Sequence, residues 1–154
     1  EEIFDYLDLV VVSIASDIVP ITGENRILAH YGLQKLNQNP RPGLKALKEI
    51  AAIKNELDIS GIVFTLGPRI NAAGRLGSAN QALQLLLTDD DAEANRLALA
   101  LDQHNRERQT VERHVAAEAE ARISARFNPE TDVTIVAGSR DWHIGSNRLE
   151  VKHP

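Results

Sequence analysis

Asp17 is the residue of this chain whose type and setting offer the most definite chemistry. It follows the apolar run Leu7-Asp8-Leu9-Val10-Val11-Val12-Ser13-Ile14-Ala15 and precedes Val19-Pro20. A carboxylate at that point offers a hard anionic oxygen to Mg²⁺ or Mn²⁺, which can sit between a protein and a phosphate. An aspartate before a proline also makes turns and caps. On the residues alone, that structural role is the commoner one. Asp8, inside the run, reads as structural.

A second group is Arg69, Asn71 and Arg75, in a segment with Gly67, Gly74 and Gly77 and no acidic residue. Arginine presents a planar fork that matches phosphate, and glycine lets backbone approach a ligand closely. Read as a loop, the segment suits a phosphate backbone equally with an arginine pair holding two helices together. Asn71 would fix the loop or touch a nucleotide. His143 beside Trp142, and Arg148 further on, are candidates for a phosphate pocket. Asn25 and Arg26 suit a cap or a phosphate contact. His104, Arg106, Arg108 and His114 read as a solvated charged face. No Gly-x-x-x-x-Gly-Lys-Ser/Thr loop, His-Glu-x-x-His or Gly-x-Ser-x-Gly elbow occurs. The five histidines are scattered without ligand spacing.

The elements that would position these residues come next. The run Leu7 to Ala15 predicts a strand buried on both faces, as in a parallel α/β sheet, with Asp17 at its end. Functional side chains of open α/β sheets gather at such ends. Glu24 to Leu36 has helical spacing, Asn37 to Arg41 reads as a polar turn, and Pro42 opens a helix to about Ala52. Ile59 to Leu66 leans to helix, with Asp58 or Ser60 as cap, and Gly67-Pro68 ends or kinks it. Ser78 would cap a helix from Ala79 to Leu87. Thr88 with Asp91 resembles a capping box opening a helix to about Phe127. About 37 residues at 1.5 Å rise span roughly 55 Å, which suits a connector between two bodies. Asp132 to Ala137 predicts another buried strand.

Composition narrows the class. Aromatics are only 4% against 43% hydrophobic residues overall, so the core must be aliphatic. The absence of cysteine excludes disulfides and thiolate metal sites, and suits a reducing cytoplasm. No run approaches the ~20 apolar residues of a membrane-spanning helix. A net charge of −5 excludes a uniformly basic nucleic-acid footprint, so any DNA contact must be local or bridged by metal. The absence of methionine makes an internal piece of a longer protein the expectation.

Three segments together resemble the RecJ family of DHH phosphoesterases. They are Leu7-Asp8-Leu9 through Ser16-Asp17-Ile18-Val19-Pro20, followed by Gly23-Glu24-Asn25-Arg26-Ile27-Leu28; Gly67-Pro68-Arg69-Ile70-Asn71-Ala72-Ala73-Gly74-Arg75-Leu76; and Asn105-Arg106-Glu107-Arg108-Gln109, followed by Asp141-Trp142-His143. The resemblance implies an α/β, helix-rich fold: residues 1–88 as the end of a parallel-sheet DHH catalytic domain, 89–127 as the long connecting helix, and 128–154 as the start of a DHHA1-like second α/β domain. It implies 5′-to-3′ hydrolysis of single-stranded DNA in recombination and repair, with two divalent metals, Mn²⁺ or Mg²⁺, in an intact site. Asp17 then becomes a metal ligand, and Arg69, Asn71, Arg75, His143 and Arg148 become DNA or phosphate contacts. It further implies a cytoplasmic, membrane-free enzyme, monomeric by preference, with repair proteins as possible partners.

The family's Asp-x-Asp and Asp-His-His metal motifs are expected upstream of Glu1; no Asp-His-His occurs in this chain, and the one Asp-x-Asp match, Asp89-Asp90-Asp91, lies far downstream of that place. The stretch Trp142-His143-Ile144-Gly145-Ser146-Asn147-Arg148-Leu149 is several residues shorter than the family's pattern. The 154-residue chain alone is therefore expected to be catalytically inactive. The rival readings are a DHH phosphoesterase for short oligonucleotides or cyclic dinucleotides, and a non-catalytic nucleic-acid-binding scaffold.

Overall fold

The computed structural model describes residues 2–76, 79–125 and 138–142, apart from the side chains of 2–3 and 73–76. Every regular element among the described residues is helical. A 3₁₀ turn, Glu2–Tyr6, leads into α1 (Leu7–Ser16), followed by α2 (Gly23–Gln38) and α3 (Pro42–Ile50). Then come a single turn, α4 (Ile59–Gly61), a π-helical turn (Ile62–Leu66), α5 (Gly67–Leu76), α6 (Ala79–Leu87) and α7 (Asp91–Ser124). The chain divides into two compact units, Glu1–Asn105 and Arg106–Pro154. No helix among the described residues is long and apolar enough to cross a membrane.

The strand predicted for Leu7 to Ala15 is a helix. Its burial follows helical spacing: Leu7, Asp8, Val11, Val12, Ile14 and Ala15 are buried, while Ser13 is exposed. A helix packed around most of its circumference shows the same unbroken apolar run as a doubly buried strand, so periodicity cannot separate them. What favours the helix is close packing against α2. A Cβ added to Gly32 would lie 2.5 Å from the Leu7 carbonyl oxygen and 2.7 Å from Val11 Cβ, so only glycine admits this approach. The core around α1 joins Leu36, Leu44, Leu47, Leu57, Ile62, Leu66, Leu85, Leu97 and Leu101, all aliphatic as composition required.

Several local expectations hold. Pro42 sits in the first turn of α3, preceded by Arg41 in the extended conformation that a following proline imposes. Asp58 caps the turn at Ile59, its Oδ1 accepting from the Gly61 N–H at 2.6 Å. Others need correction. Asp90, rather than Thr88, caps α7, accepting from the Glu93 N–H at 2.9 Å, while Thr88 Oγ1 accepts from Asp90. Gly67-Pro68 does not end the helical segment. The Gly67 N–H reaches back to the Ile62 carbonyl, and Pro68, the second residue of α5, needs no donor there. The strand expected at Asp132 to Ala137 and the Ser78 cap lie outside the described residues.

α1 and α3 end alike. Ile18 N–H bonds the Ala15 carbonyl and Val19 N–H that of Ile14; Ala52 N–H bonds Glu49 and Ile53 N–H bonds Lys48. Both are Schellman turns, and both place a non-glycine residue in the left-handed region, Ile18 at φ 53° and Ala52 at φ 55°. That conformation costs an L-residue about 1–2 kcal/mol.

Arg41 closes the structure over α1. Its Nε and Nη2 donate to the two oxygens of Asp8 at 3.0 and 2.9 Å, and its backbone N–H adds a longer bond at 3.3 Å. Nη1 donates to the Leu86 carbonyl at the end of α6, and Nη2 also to that of Asp5. Asp8 is 0% exposed. Removing one partner of a buried pair strands the other charge in the core. Arg41→Ala is therefore expected to lower stability by about 3–5 kcal/mol, with Asp8→Leu added to it recovering part of the loss. Urea unfolding of the chain followed by helical circular dichroism measures both; a double variant no more stable than the single one would refute the account.

Candidate functional site

Asp17 is the cap residue at the C-terminal end of α1, held by its own N–H to the Ser13 carbonyl at 3.1 Å. Its side chain is exposed and makes no hydrogen bond or ion pair among the described residues. The turn-making role open to an aspartate before proline is filled differently. Asn25 Nδ2 donates to the Pro20 carbonyl at 3.1 Å and ties the connection to the first turns of α2. The C-terminal end of a helix carries partial negative charge. A carboxylate added there makes a locally electronegative point that favours a cation. It reaches this place from a helix end rather than from the strand end expected.

Asp17 fits a divalent ion as a single oxygen donor. Among the described residues no three His, Cys, Asp or Glu side chains gather to hold a metal. Any remaining ligands must therefore come from other residues.

The segment expected as a glycine loop is helix α5. Ala72, fully buried, and the close contact of Gly67 with α1 explain why: a Cβ on Gly67 would lie 3.0 Å from Ser16 Oγ. In a helix, Asn71 and Arg75 stand one turn apart on a shared face, while Arg69 lies on another. Asn71 is exposed; the Arg75 side chain lies outside the described residues. Arg69 donates from Nε to Asp102 Oδ1 at 2.8 Å and from Nη1 to the Thr65 carbonyl at 2.7 Å. With side chains 17% and 6% exposed, that pair pins α5 to α7. His143 and Arg148 lie outside the described residues.

The charged face expected on α7 is partly packed. Asp102 and Asn105 are buried beside Ala94, Leu97, Ala98 and Leu101, and His104 is half-buried, whereas Arg106 and His114 are exposed. Arg108 pairs with Glu112 at 2.7 Å. Sequence reasoning passed over Asp102, and the i, i+4, i+8 spacing from Ala94 through Ala98 to Asp102 was the available signal.

In the second unit, Trp142 Nε1 donates to Glu118 Oε2 at 2.9 Å, and the Arg122 guanidinium lies 5.5 Å from the indole centroid. Arg122 also donates to the Gly138 carbonyl at 2.8 Å. The Trp142 N–H, with Arg122 beside it, holds the Glu118 carboxyl below its ordinary value of 4.5, against the opposing effect of desolvation. A depressed carboxyl stabilises the folded form above its ordinary value, and that contribution is lost as pH falls through the lowered one. Trp142 is the only tryptophan, so its emission reports this contact. Its emission is expected to change on acidification with a midpoint below 4.5, and Glu118→Gln is expected to abolish that step. A midpoint above 4.5 in the unsubstituted chain would contradict the assignment.

No protein-family model matches this chain. It is 34% identical over 142 residues to the single-stranded-DNA-specific exonuclease RecJ of Bacillus subtilis, covering 92% of the chain and 18% of that protein. It is 43% identical over 147 residues to RecJ of Salmonella typhimurium, covering 92% of the chain and 25% of that protein. The crystal structure of Thermus thermophilus RecJ in complex with Mg²⁺ superposes with a TM-score of 0.81 at 36% identity, covering 93% of this chain and 22% of that one. A structure of exonuclease RecJ bound to manganese gives 0.77 at 36% identity, covering 93% of this chain and 35% of that one. The chain thus spans between 18% and 25% of the length of these two curated relatives.

Proposed function

We propose, from the premise that this chain is a RecJ-family segment, that it is part of a 5′-to-3′ exonuclease acting on single-stranded DNA. The observation that carries the reading is the similarity, in sequence and in fold, to RecJ structures solved with Mg²⁺ and with manganese. Residues 1–88 then belong to a DHH catalytic domain, 89–127 to its connecting helix, and 128–154 to the start of a DHHA1-like domain.

In this reading Asp17 supplies one carboxylate oxygen to a two-metal site, whose other ligands lie beyond the described residues. Divalent ions there would stabilise the negative charge that builds on the phosphate oxygens during phosphodiester hydrolysis. The Schellman turn fixes the Asp17 backbone, so its carboxylate is presented without first having to order a loop. Asn71 and Arg75, one helical turn apart on α5, would bind the strand's backbone. Arg69, engaged with Asp102, acts on that face by holding α5 to α7. His143 and Arg148 are proposed contacts for phosphate in the second domain.

Asp17→Asn in the full-length protein that carries this chain tests the reading. The substitution keeps size and removes the charge at an exposed position, so the melting temperature is expected to stay unchanged. Manganese-dependent release of nucleotides from single-stranded DNA is expected to fall at least roughly a hundredfold, the upper end of what outer-shell metal substitutions cost. Undiminished release would eliminate Asp17 as a ligand. A preference for dinucleotides over long strands would move the substrate class to short oligonucleotides. The 154-residue chain alone is expected to release none.

A further inference from the structure

The turn that ends α1 places an isoleucine where the backbone favours glycine. Ile18 has φ 53°, in the region L-residues rarely adopt, and its branched Cβ makes the conformation worse than it would be for alanine. Five residues later the same chain meets a positive φ with glycine, Gly23. The equivalent position after α3 carries Ala52, with only a methyl group. A bulky residue held this way is normally compensated by burial. Among the described residues Ile18 has none, being 78% exposed. It stands next to Asp17, its Cα about 3.8 Å away across one trans peptide. Ile21, 38% exposed, follows on the same connection.

We infer that Ile18 is a substrate-contact residue. Its side chain packs against the deoxyribose and base of the nucleotide whose phosphate lies at Asp17. The inference rests on the reading of Asp17 as a metal ligand. An exposed, conformationally stiff aliphatic group beside the anionic centre gives an apolar wall to the uncharged half of a nucleotide. Aliphatic contact serves any base, as degradation of a strand regardless of sequence needs. Strain concentrated at a binding position, with no compensating burial among the described residues, is where stability is given up for function.

The test uses the full-length protein with Ile18→Gly, Ile18→Val as the conservative variant and Ala52→Gly as the control turn. Substrates are an oligo-dT strand and the same strand carrying abasic residues, each with Mn²⁺. Ile18→Gly is expected to melt roughly 1–2 °C higher, as relief of left-handed strain predicts for a protein several times the length of this chain. Its KM for oligo-dT is expected to rise roughly tenfold with kcat near that of the unsubstituted protein. Ile18→Val should restore KM, and Ala52→Gly should raise the melting temperature while leaving KM alone. The abasic strand should raise KM for the unsubstituted protein but add nothing for Ile18→Gly, since the contact is already gone. An unchanged KM in Ile18→Gly overturns the inference, as does a full abasic penalty in that variant. A lowered melting temperature also overturns it, because Ile18 would then be a packing residue. If Asp17→Asn is inactive while Ile18→Gly binds normally, only this inference falls. Full activity of Asp17→Asn removes the reading beneath it.

Discussion

A carboxylate with no exposure to solvent dictates much of how the first unit is put together. Asp8 is fully buried at the start of α1, and an unpaired ionised carboxylate there would cost several kcal/mol. Its two oxygens accept from the Leu9 N–H, the Arg41 N–H, and Nε and Nη2 of Arg41. The rest of the guanidinium reaches the Asp5 and Leu86 carbonyls, and its face lies 5.4 Å from the Tyr6 ring centroid. One side chain thus joins the leading turn, α1, the α2–α3 link and the end of α6. With α1 anchored at its first turn and pressed on Gly32, its last turn is fixed as well, and with it Asp17. The candidate metal ligand is exposed, but its place is decided nine residues earlier by a charge that has to be neutralised.

Local chemistry was legible in the sequence, and pairings distant along the chain were not. Pro42, Asp58 and the long uninterrupted pattern of α7 each announce themselves within a few residues. Arg41 did not: a polar residue between Asn39 and Pro42 looks like turn surface, and its partner lies 33 residues away. Arg69 and Asp102 are separated by the same distance, so an arginine that resembles a phosphate fork from its neighbours is an ion-paired clamp in the fold. Asn37 belongs with these. It was placed in a turn, yet from α2 it donates to the Leu57 carbonyl and accepts from the Leu57 N–H, fixing the descent into α4.

The misreading of Leu7 to Ala15 has a different origin. β-Branched residues favour strands where one or both faces of a sheet await them, but helix propensities span less than about 0.7 kcal/mol per residue among ordinary residues. Burial of nearly every side chain in the run outweighs that preference. The one signal against a strand was Asp8. A charge in the middle of a doubly buried strand needs a partner across the sheet, whereas in the first turn of a helix it also meets the favourable end of the dipole. Asp17 as a point of interest depended on none of this, since either element would deliver it to an end.

The helix in place of the strand changes the electrostatics of that end. β-Sheets have only small net dipoles, while a helix concentrates partial negative charge on its last carbonyls. The Schellman turn engages the Ile14 and Ala15 carbonyls but leaves the Asp17 carboxylate outside the ladder. Two sources of negative potential therefore coincide where Asp17 meets solvent. In a chain of net charge −5 this point repels a bare phosphate and attracts a divalent ion. On the proposed reading of Asp17, a phosphate can meet this point only through a cation, so the metal would serve binding as well as hydrolysis.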